Sequence, residues 1–174
     1  MHSKIIILAL ATTTSALIAG VYYSFSVAIN PAFAQLSDRA YIEAMQHINV
    51  AIVNPVFALS FFGAPLMLPL AAAAHCKAGG QRRYLLVAAS VVFWIGSLGV
   101  TALANIPLNE TLASFPTQQA SGAQAALVRA AFAASWNRWH AVRTVASIAT
   151  LVLVVAACLT ADTTRQTLAS ANKN

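Results

Sequence analysis

The chain has 174 residues, of which 59% are apolar and 8% charged, and its mean hydropathy is +0.72. Soluble domains carry about a quarter of their residues as charged side chains, so this composition excludes a disordered chain, a coiled coil or a soluble enzyme and points to a membrane protein. Ten Lys and Arg against four Asp and Glu give a net charge of +6. These charges fall between apolar stretches rather than on one arm, and no Gly-rich phosphate loop accompanies them, which argues against nucleic acid and for contact with the headgroups of a lipid bilayer.

Four stretches, residues 5–29, 50–74, 84–106 and 141–161, reach or approach the roughly 20 apolar residues that span a hydrocarbon core about 30 Å thick. Backbone exposed to lipid must satisfy its own hydrogen bonds, and the short alternating segments of a barrel are missing, so the expected architecture is all-α: a single domain over 1–174, built as a four-helix transmembrane bundle. The first stretch resembles a secretory signal in having Lys4 before an apolar run and small residues near Ala19, but the run continues to Ile29. We read it as a membrane span rather than a leader.

The connections carry their own signals. Between the first two spans, Ser37 is placed to cap a helix, Asp38 lies in its first turn, and Tyr41, Met45 and Ile48 form an apolar stripe. This predicts a short extramembrane helix running on into the second span. Gly79 and Gly80 mark a tight turn between spans two and three. The 107–135 connection opens at Pro107, breaks again at Pro116 and becomes an Ala-rich helix from about Gly122 that runs into span four. Cys76 and Cys158 belong to no ligand pattern, and no disulfide is expected.

Orientation follows from the basic residues beside each face. Lys4, Lys77, Arg82, Arg83, Arg165 and Lys173 oppose the single acid Asp162 at one end, whereas Arg39, Arg129, Arg138 and Arg143 stand with Asp38, Glu43 and Glu110 at the other. Both termini are therefore expected in the cytoplasm, with the two long connections and their short helical segments facing outward.

Polar side chains gather at that outward end, where an apolar bundle needs a reason to hold them. Glu43, Gln46, His47, Asn49 and Asn54 enter the second span, Asn105 and Asn109 bracket the end of the third, and Trp136, Trp139, His140 and Arg143 begin the fourth. No Lys, Arg, Asp or Glu lies mid-membrane, which disfavours a pump or channel. Glu43, His47 and Asn54 at i, i+4 and i+11 share one face of a continuous helix, as do Trp136, His140 and Arg143 at i, i+4 and i+7. A carboxylate one turn from an imidazole can fix its tautomer and raise its basicity. The plainer readings stand beside these: aromatic-belt anchoring for Trp136 and Trp139, lipid phosphate contact for Arg138 and Arg143, backbone repair beside proline for Asn54 and Asn105, and solvation for His2 and His75.

Several segments resemble a known family: Gly20 Val21 Tyr22 Tyr23 Ser24 Phe25, Met45 Gln46 His47 Ile48 Asn49, Asn54 Pro55 Val56 Phe57, Asn105 Ile106 Pro107 Leu108 Asn109, and Trp136 Asn137 Arg138 Trp139 His140 Ala141 Val142 Arg143 Thr144. Together they are similar to the anthrone-oxygenase-like small integral membrane proteins, a likeness that implies a bacterial inner-membrane setting. It also implies oxidation of an anthrone or related aromatic polyphenol by O2 without a metal or other cofactor. On that resemblance the base is His47 supported by Glu43, with His140 in reserve. Asn49, Asn105, Asn109 and Arg143 donate to the substrate oxygen, Asn54 is a further substrate contact, and Trp136, Trp139 and Tyr23 stack on its rings. The alternative is a non-catalytic scaffold or lipid or quinone binder with the same cup. The oligomeric state is not legible from the sequence.

Overall fold

A computed structural model describes residues 2–76 and 80–160. Lys77 and Gly79, as well as Asp162, Arg165 and Lys173, which entered the orientation argument, lie outside the described residues. Four helical runs are long and apolar enough to cross a membrane: His2–Ala34, Pro55–Ala74, Gln81–Ala113 and Gly122–Leu159. The bundle predicted from hydropathy is therefore present, with different boundaries.

The first run consists of α1 (His2–Ser24), a π-helical turn over Phe25–Ile29 and α2 (Asn30–Ala34). The third consists of α5 (Gln81–Val92), π-helical segments over Phe93–Gly99 and Thr101–Asn105, and α6 (Ile106–Ala113). Two of these widenings have the same cause. Pro31 and Pro107 each lack an N–H, and in a regular helix their rings would collide with the carbonyl one turn back. The residue just before each proline instead bonds five positions back, Asn30 to the Phe25 carbonyl and Ile106 to that of Thr101. The helix expands to admit the ring and then continues. Pro107 thus lies inside a helical run and does not open the connection expected from the sequence.

Between these runs stand α3 (Asp38–Ala51) and α4 (Pro55–Ala74). Ser37 caps α3 as anticipated, accepting from the Ala40 N–H. The expected continuity of α3 with the second span does not hold: Asn54 is extended at φ −135° and ψ 161° and starts α4 as a new helix. A residue preceding proline is disfavoured in the helical region, and Pro55 supplies that constraint. The i, i+4, i+11 register of Glu43, His47 and Asn54 is broken by this turn.

The last helix, α7 (Gly122–Leu159), has 38 residues. At 1.5 Å per residue it is about 57 Å long, well beyond a hydrocarbon core of about 30 Å. Its start is fixed by a capping box between Ser121 and Gln124, and Arg82 closes its other end by donating from Nε to the Ala157 carbonyl at 3.0 Å. Gly80, at φ +107°, takes the left-handed geometry that the turn before α5 requires.

Two cores result. The inner one packs Ala11, Ile18, Leu68, Leu86, Phe93 and Val154 within the four spans. Close approach there depends on small residues: a Cβ at Gly63 would stand 2.8 Å from Thr14 Cγ2, and one at Gly96 would stand 2.6 Å from Ala146 Cβ. The outer core joins Tyr41, Ile42 and Met45 of α3 to Leu112, Phe132 and Trp136. Arg129 ties this cap together through Asp38 Oδ1 at 3.0 Å and the Leu36 carbonyl at 2.7 Å. Gln46 Nε2 donates to the Leu112 and Phe115 carbonyls at 2.8 and 3.1 Å, holding the turn at Pro116. His75, expected to be solvated, is buried at the inner end of α4, where Nδ1 meets the Ala71 carbonyl at 2.9 Å.

Candidate functional site

The junction of the two cores contains a cavity of about 520 Å³. Its walls are Tyr22 and Phe25 of the first run, Ile48, Asn49 and Ile52 at the end of α3, Phe57 and Phe61 of α4, Thr101 and Asn109 of the third run, and Trp136 and Arg143 of α7. π-helical turns occupy both the first and the third run at this level, bringing Phe25, Thr101 and Asn105 to the inside. Such widenings are frequent where a helix must redirect side chains toward a site.

Arg143 is the charged residue lining the cavity and is 8% exposed. A buried cation normally needs a counter-ion, yet the ion pair found among the described residues, Arg129 with Asp38, lies in the cap. Arg143 is held by other means. Its guanidinium lies 4.3 Å from the Tyr22 ring centre and 5.1 Å from that of Trp136, close enough for the π faces to offset part of the lost hydration. Nε donates to His140 Nδ1 at 3.1 Å and Nη1 to Thr101 Oγ1 at 3.4 Å. Of the five N–H donors of a guanidinium, those two contacts leave others for the cavity.

His140 sits behind this wall, 1% exposed and stacked on Trp136 at 4.7 Å with the rings 11° apart. A guanidinium only donates, so Nδ1 of His140 is an acceptor and the ring proton resides on Nε2. There it faces Ser26 Oγ at 3.1 Å and Thr144 Oγ1 at 3.4 Å. Both hydroxyls have carbonyls to donate to, Ser26 that of Tyr22 at 3.1 Å and Thr144 that of His140 at 2.7 Å. Both nitrogens of the imidazole are therefore engaged.

The asparagines divide into two groups. Asn109 Oδ1 accepts from Trp136 Nε1 at 2.8 Å, which fixes the indole, and the residue lines the cavity. Asn49 also lines the cavity, and its Nδ2 is buried without an acceptor. Asn105, fully buried, donates to the Trp136 carbonyl at 3.3 Å and leaves Oδ1 unmatched. Asn54 reaches the rim, but its amide is consumed by the backbone: Oδ1 accepts from Phe57 N at 3.0 Å and Nδ2 donates to the Ala51 carbonyl at 3.0 Å.

The structure brings Asn49, Asn54, Asn109, Trp136 and Arg143 to the cavity, with Asn105 and His140 immediately behind it. His47 is exposed and does not line the cavity; its Nδ1 contacts the backbone carbonyl of Glu43 at 2.8 Å. The Glu43 carboxylate instead accepts from Gln118 Nε2, so the expected carboxylate–imidazole pair does not form. Trp139 is 39% exposed under the Arg138 guanidinium, and Tyr23 is 54% exposed; neither lines the cavity. Tyr22, Ser26 and Thr101 were not anticipated. A signal existed for the first: Ala11, Ser15, Ile18, Tyr22 and Phe25 are all buried and follow the spacing of one helix face, to which Tyr23 does not belong.

Searches of the curated proteins and of the solved structures find no match. Residues 55–161 match the family described as anthrone oxygenase. That segment contains Thr101, Asn109, Trp136, His140 and Arg143, while Tyr22, Ser26 and Asn49 lie before it. With most of its length matched and four apolar helices in place, this chain belongs to the anthrone oxygenase family.

Proposed function

We propose that this chain oxidises an anthrone, or a related fused-ring polyphenol, with O2 inside the cavity. One observation carries the reading: a buried guanidinium without a carboxylate partner among the described residues faces a largely apolar chamber that contains no other charged side chain. A planar aromatic ligand fills such a chamber, and one oxygen that gains negative charge completes the electrostatics of Arg143. Phe57, Phe61 and Trp136 offer ring faces, and the amides of Asn49 and Asn109 offer further donors.

The chemistry needs little else from the protein. An anthrone has an acidic methylene between two aromatic rings, and its conjugate base carries the charge largely on the former carbonyl oxygen. The lining residues include no imidazole and no carboxylate. Arg143 therefore favours the conjugate base by stabilising it, and the proton passes to water as the substrate binds. The electron-rich carbon then forms a bond to O2, which is reduced to a peroxide and takes up a proton. Loss of the remaining C–H proton with cleavage of the O–O bond gives the quinone carbonyl and one water. One O2 is consumed for each anthrone. Once the substrate is seated and that proton has left, the apolar walls keep bulk water from the anion and strengthen the Arg143 contact.

The distribution of charge supports the orientation expected from the sequence. Lys4, Arg82 and Arg83 lie at the terminal end of the bundle, whereas Arg39 and Arg129 are engaged with backbone carbonyls in the cap. We place the termini in the cytoplasm of a bacterial inner membrane, with the cap outside.

The test is oxygen uptake by the purified protein in lipid nanodiscs supplied with anthrone, with anthraquinone measured as product. Arg143→Gln should lower turnover at least about a hundredfold, the scale of losing one oxyanion donor, while its helical circular dichroism stays unchanged. If wild-type protein adds nothing to the spontaneous oxidation rate, the pocket is a lipid or quinone holder and the reading fails.

A further inference from the structure

A second concavity of about 460 Å³ lies on the outer face of the first helical run, lined by Ala16, Leu17, Gly20, Ser24 and Ile29. It shares four wall residues with the cavity: Val21, Phe25, Ile48 and Ile52. Those side chains are the partition between groove and chamber. One side of the partition is a membrane-spanning helix, and the other is the last turn of α3 just before the chain breaks at Asn54. No charged residue lines the groove, whereas Arg143 stands in the chamber behind it. A path from lipid to the guanidinium therefore meets no other charged side chain, and the partition it crosses, Val21, Phe25, Ile48 and Ile52, is apolar.

Resting on the reading of the cavity given above, we infer that this groove is the entrance through which a lipid-dissolved, uncharged phenol passes sideways between α1 and the α3–α4 break. The ligand class follows from the two ends of the path. A permanently charged molecule would lose its hydration in the groove with nothing to replace it. A molecule unable to carry negative charge would gain little from Arg143. A planar phenol that is neutral in lipid and ionises beside the guanidinium meets both conditions.

Gly20 is the place to obstruct the path, since it is exposed and a Cβ built there meets nothing within 4 Å, so an added side chain starts in open space rather than in the core. The probe is 1-hydroxypyrene, whose phenol and phenolate emit at different wavelengths and which is not an anthrone, so binding is read without oxygenation. It is supplied in phosphatidylcholine vesicles and mixed with vesicles containing the protein. Wild type should develop phenolate emission. Gly20→Trp should slow that emission at least tenfold yet reach the same final amplitude, and Gly20→Ala should load as fast as wild type. Leu103→Trp, a change at an 83% exposed position outside both concavities, should also leave the rate unchanged. Loading of Gly20→Trp at the wild-type rate overturns the entrance while leaving the cavity reading intact. An absence of phenolate emission from wild type overturns both, and equal slowing by Leu103→Trp overturns the entrance by showing a general effect of bulk on the bundle.

Discussion

His140 and Arg143 lie three residues apart on α7 and form one unit, in which the imidazole accepts the Arg143 Nε–H at 3.1 Å and thereby sets where the guanidinium stands at the cavity wall. Because its other nitrogen is engaged by Ser26, the mechanism we propose gives His140 the role of positioning Arg143 rather than that of accepting the substrate's proton. His140→Phe keeps a ring against Trp136 but leaves a buried N–H of Arg143 without its acceptor, at a cost of about 1–3 kcal/mol. Anthrone turnover should fall about tenfold or more, the rate equivalent of about 1.4 kcal/mol. His140→Gln offers both an acceptor for Arg143 and a donor for Ser26 and should retain most of the activity. Steady-state oxygen uptake separates the two, and equal loss in both variants would instead make the imidazole the base.

His47 was the base suggested by the resemblance, and its position makes the opposite outcome the expected one. It is exposed, outside the cavity wall and bonded to the backbone rather than to the Glu43 carboxylate. His47→Ala should therefore change stability by no more than about 0.5 kcal/mol and leave anthrone turnover unchanged. A hundredfold fall in turnover with normal folding would restore the residue to the reaction.

The contrast between these two histidines shows what the sequence could carry. Membrane spans and their number follow from apolar length alone, and the gathering of Asn105, Asn109, Trp136 and Arg143 follows from their common depth. Helical spacing could not distinguish the side chains that turn inward from their neighbours, because that depends on where helices break or widen. The turn at Asn54 rotates α4 relative to α3, and the π-helical segments before Pro31 and Pro107 shift Phe25 and Thr101 around their axes. The prolines were visible, but whether each would end a helix or expand it depends on packing from the other runs. Tyr22 was legible from the stripe it shares with Ile18 and Phe25; the hydroxyl contacts of Ser26 and Thr101 were not, since they require the fourth helix.

Tyr41 in the cap gives a pH dependence that can be assigned in advance. Burial raises the pKa of its phenol, partly offset by Arg129, whose guanidinium stands 4.7 Å from the ring centre. The folded state therefore holds the proton more tightly than the unfolded one. Its contribution is fully present below the ordinary tyrosine value near 10 and declines as pH rises past it toward the higher folded value. Its Oη is also buried without a partner. Tyr41→Phe should thus fold with stability within about 1 kcal/mol of wild type at neutral pH, since it removes an unsatisfied group, and should show a weaker loss of stability above about pH 10. Thermal unfolding across that range in detergent is the measurement; an unchanged alkaline slope would exclude Tyr41 as its source.

Trp94 answers a defect that Pro69 creates in α4. Pro69 has no N–H to offer the Pro65 carbonyl one turn back, and the indole Nε1–H of Trp94 from the third run reaches that oxygen at 3.1 Å. The bond links two spans inside the apolar region, where a carbonyl left without a donor is costly. Trp94→Phe removes the donor and should destabilise the bundle by about 0.5–1.5 kcal/mol. Pro69→Ala restores the helix's own N–H, so in that background the same Trp94→Phe change should cost much less. Unfolding in a dodecyl sulfate titration of all four proteins gives the coupling directly. A purely additive result would show that Trp94 stabilises the fold through its ring packing alone, and that the carbonyl of Pro65 does not need it.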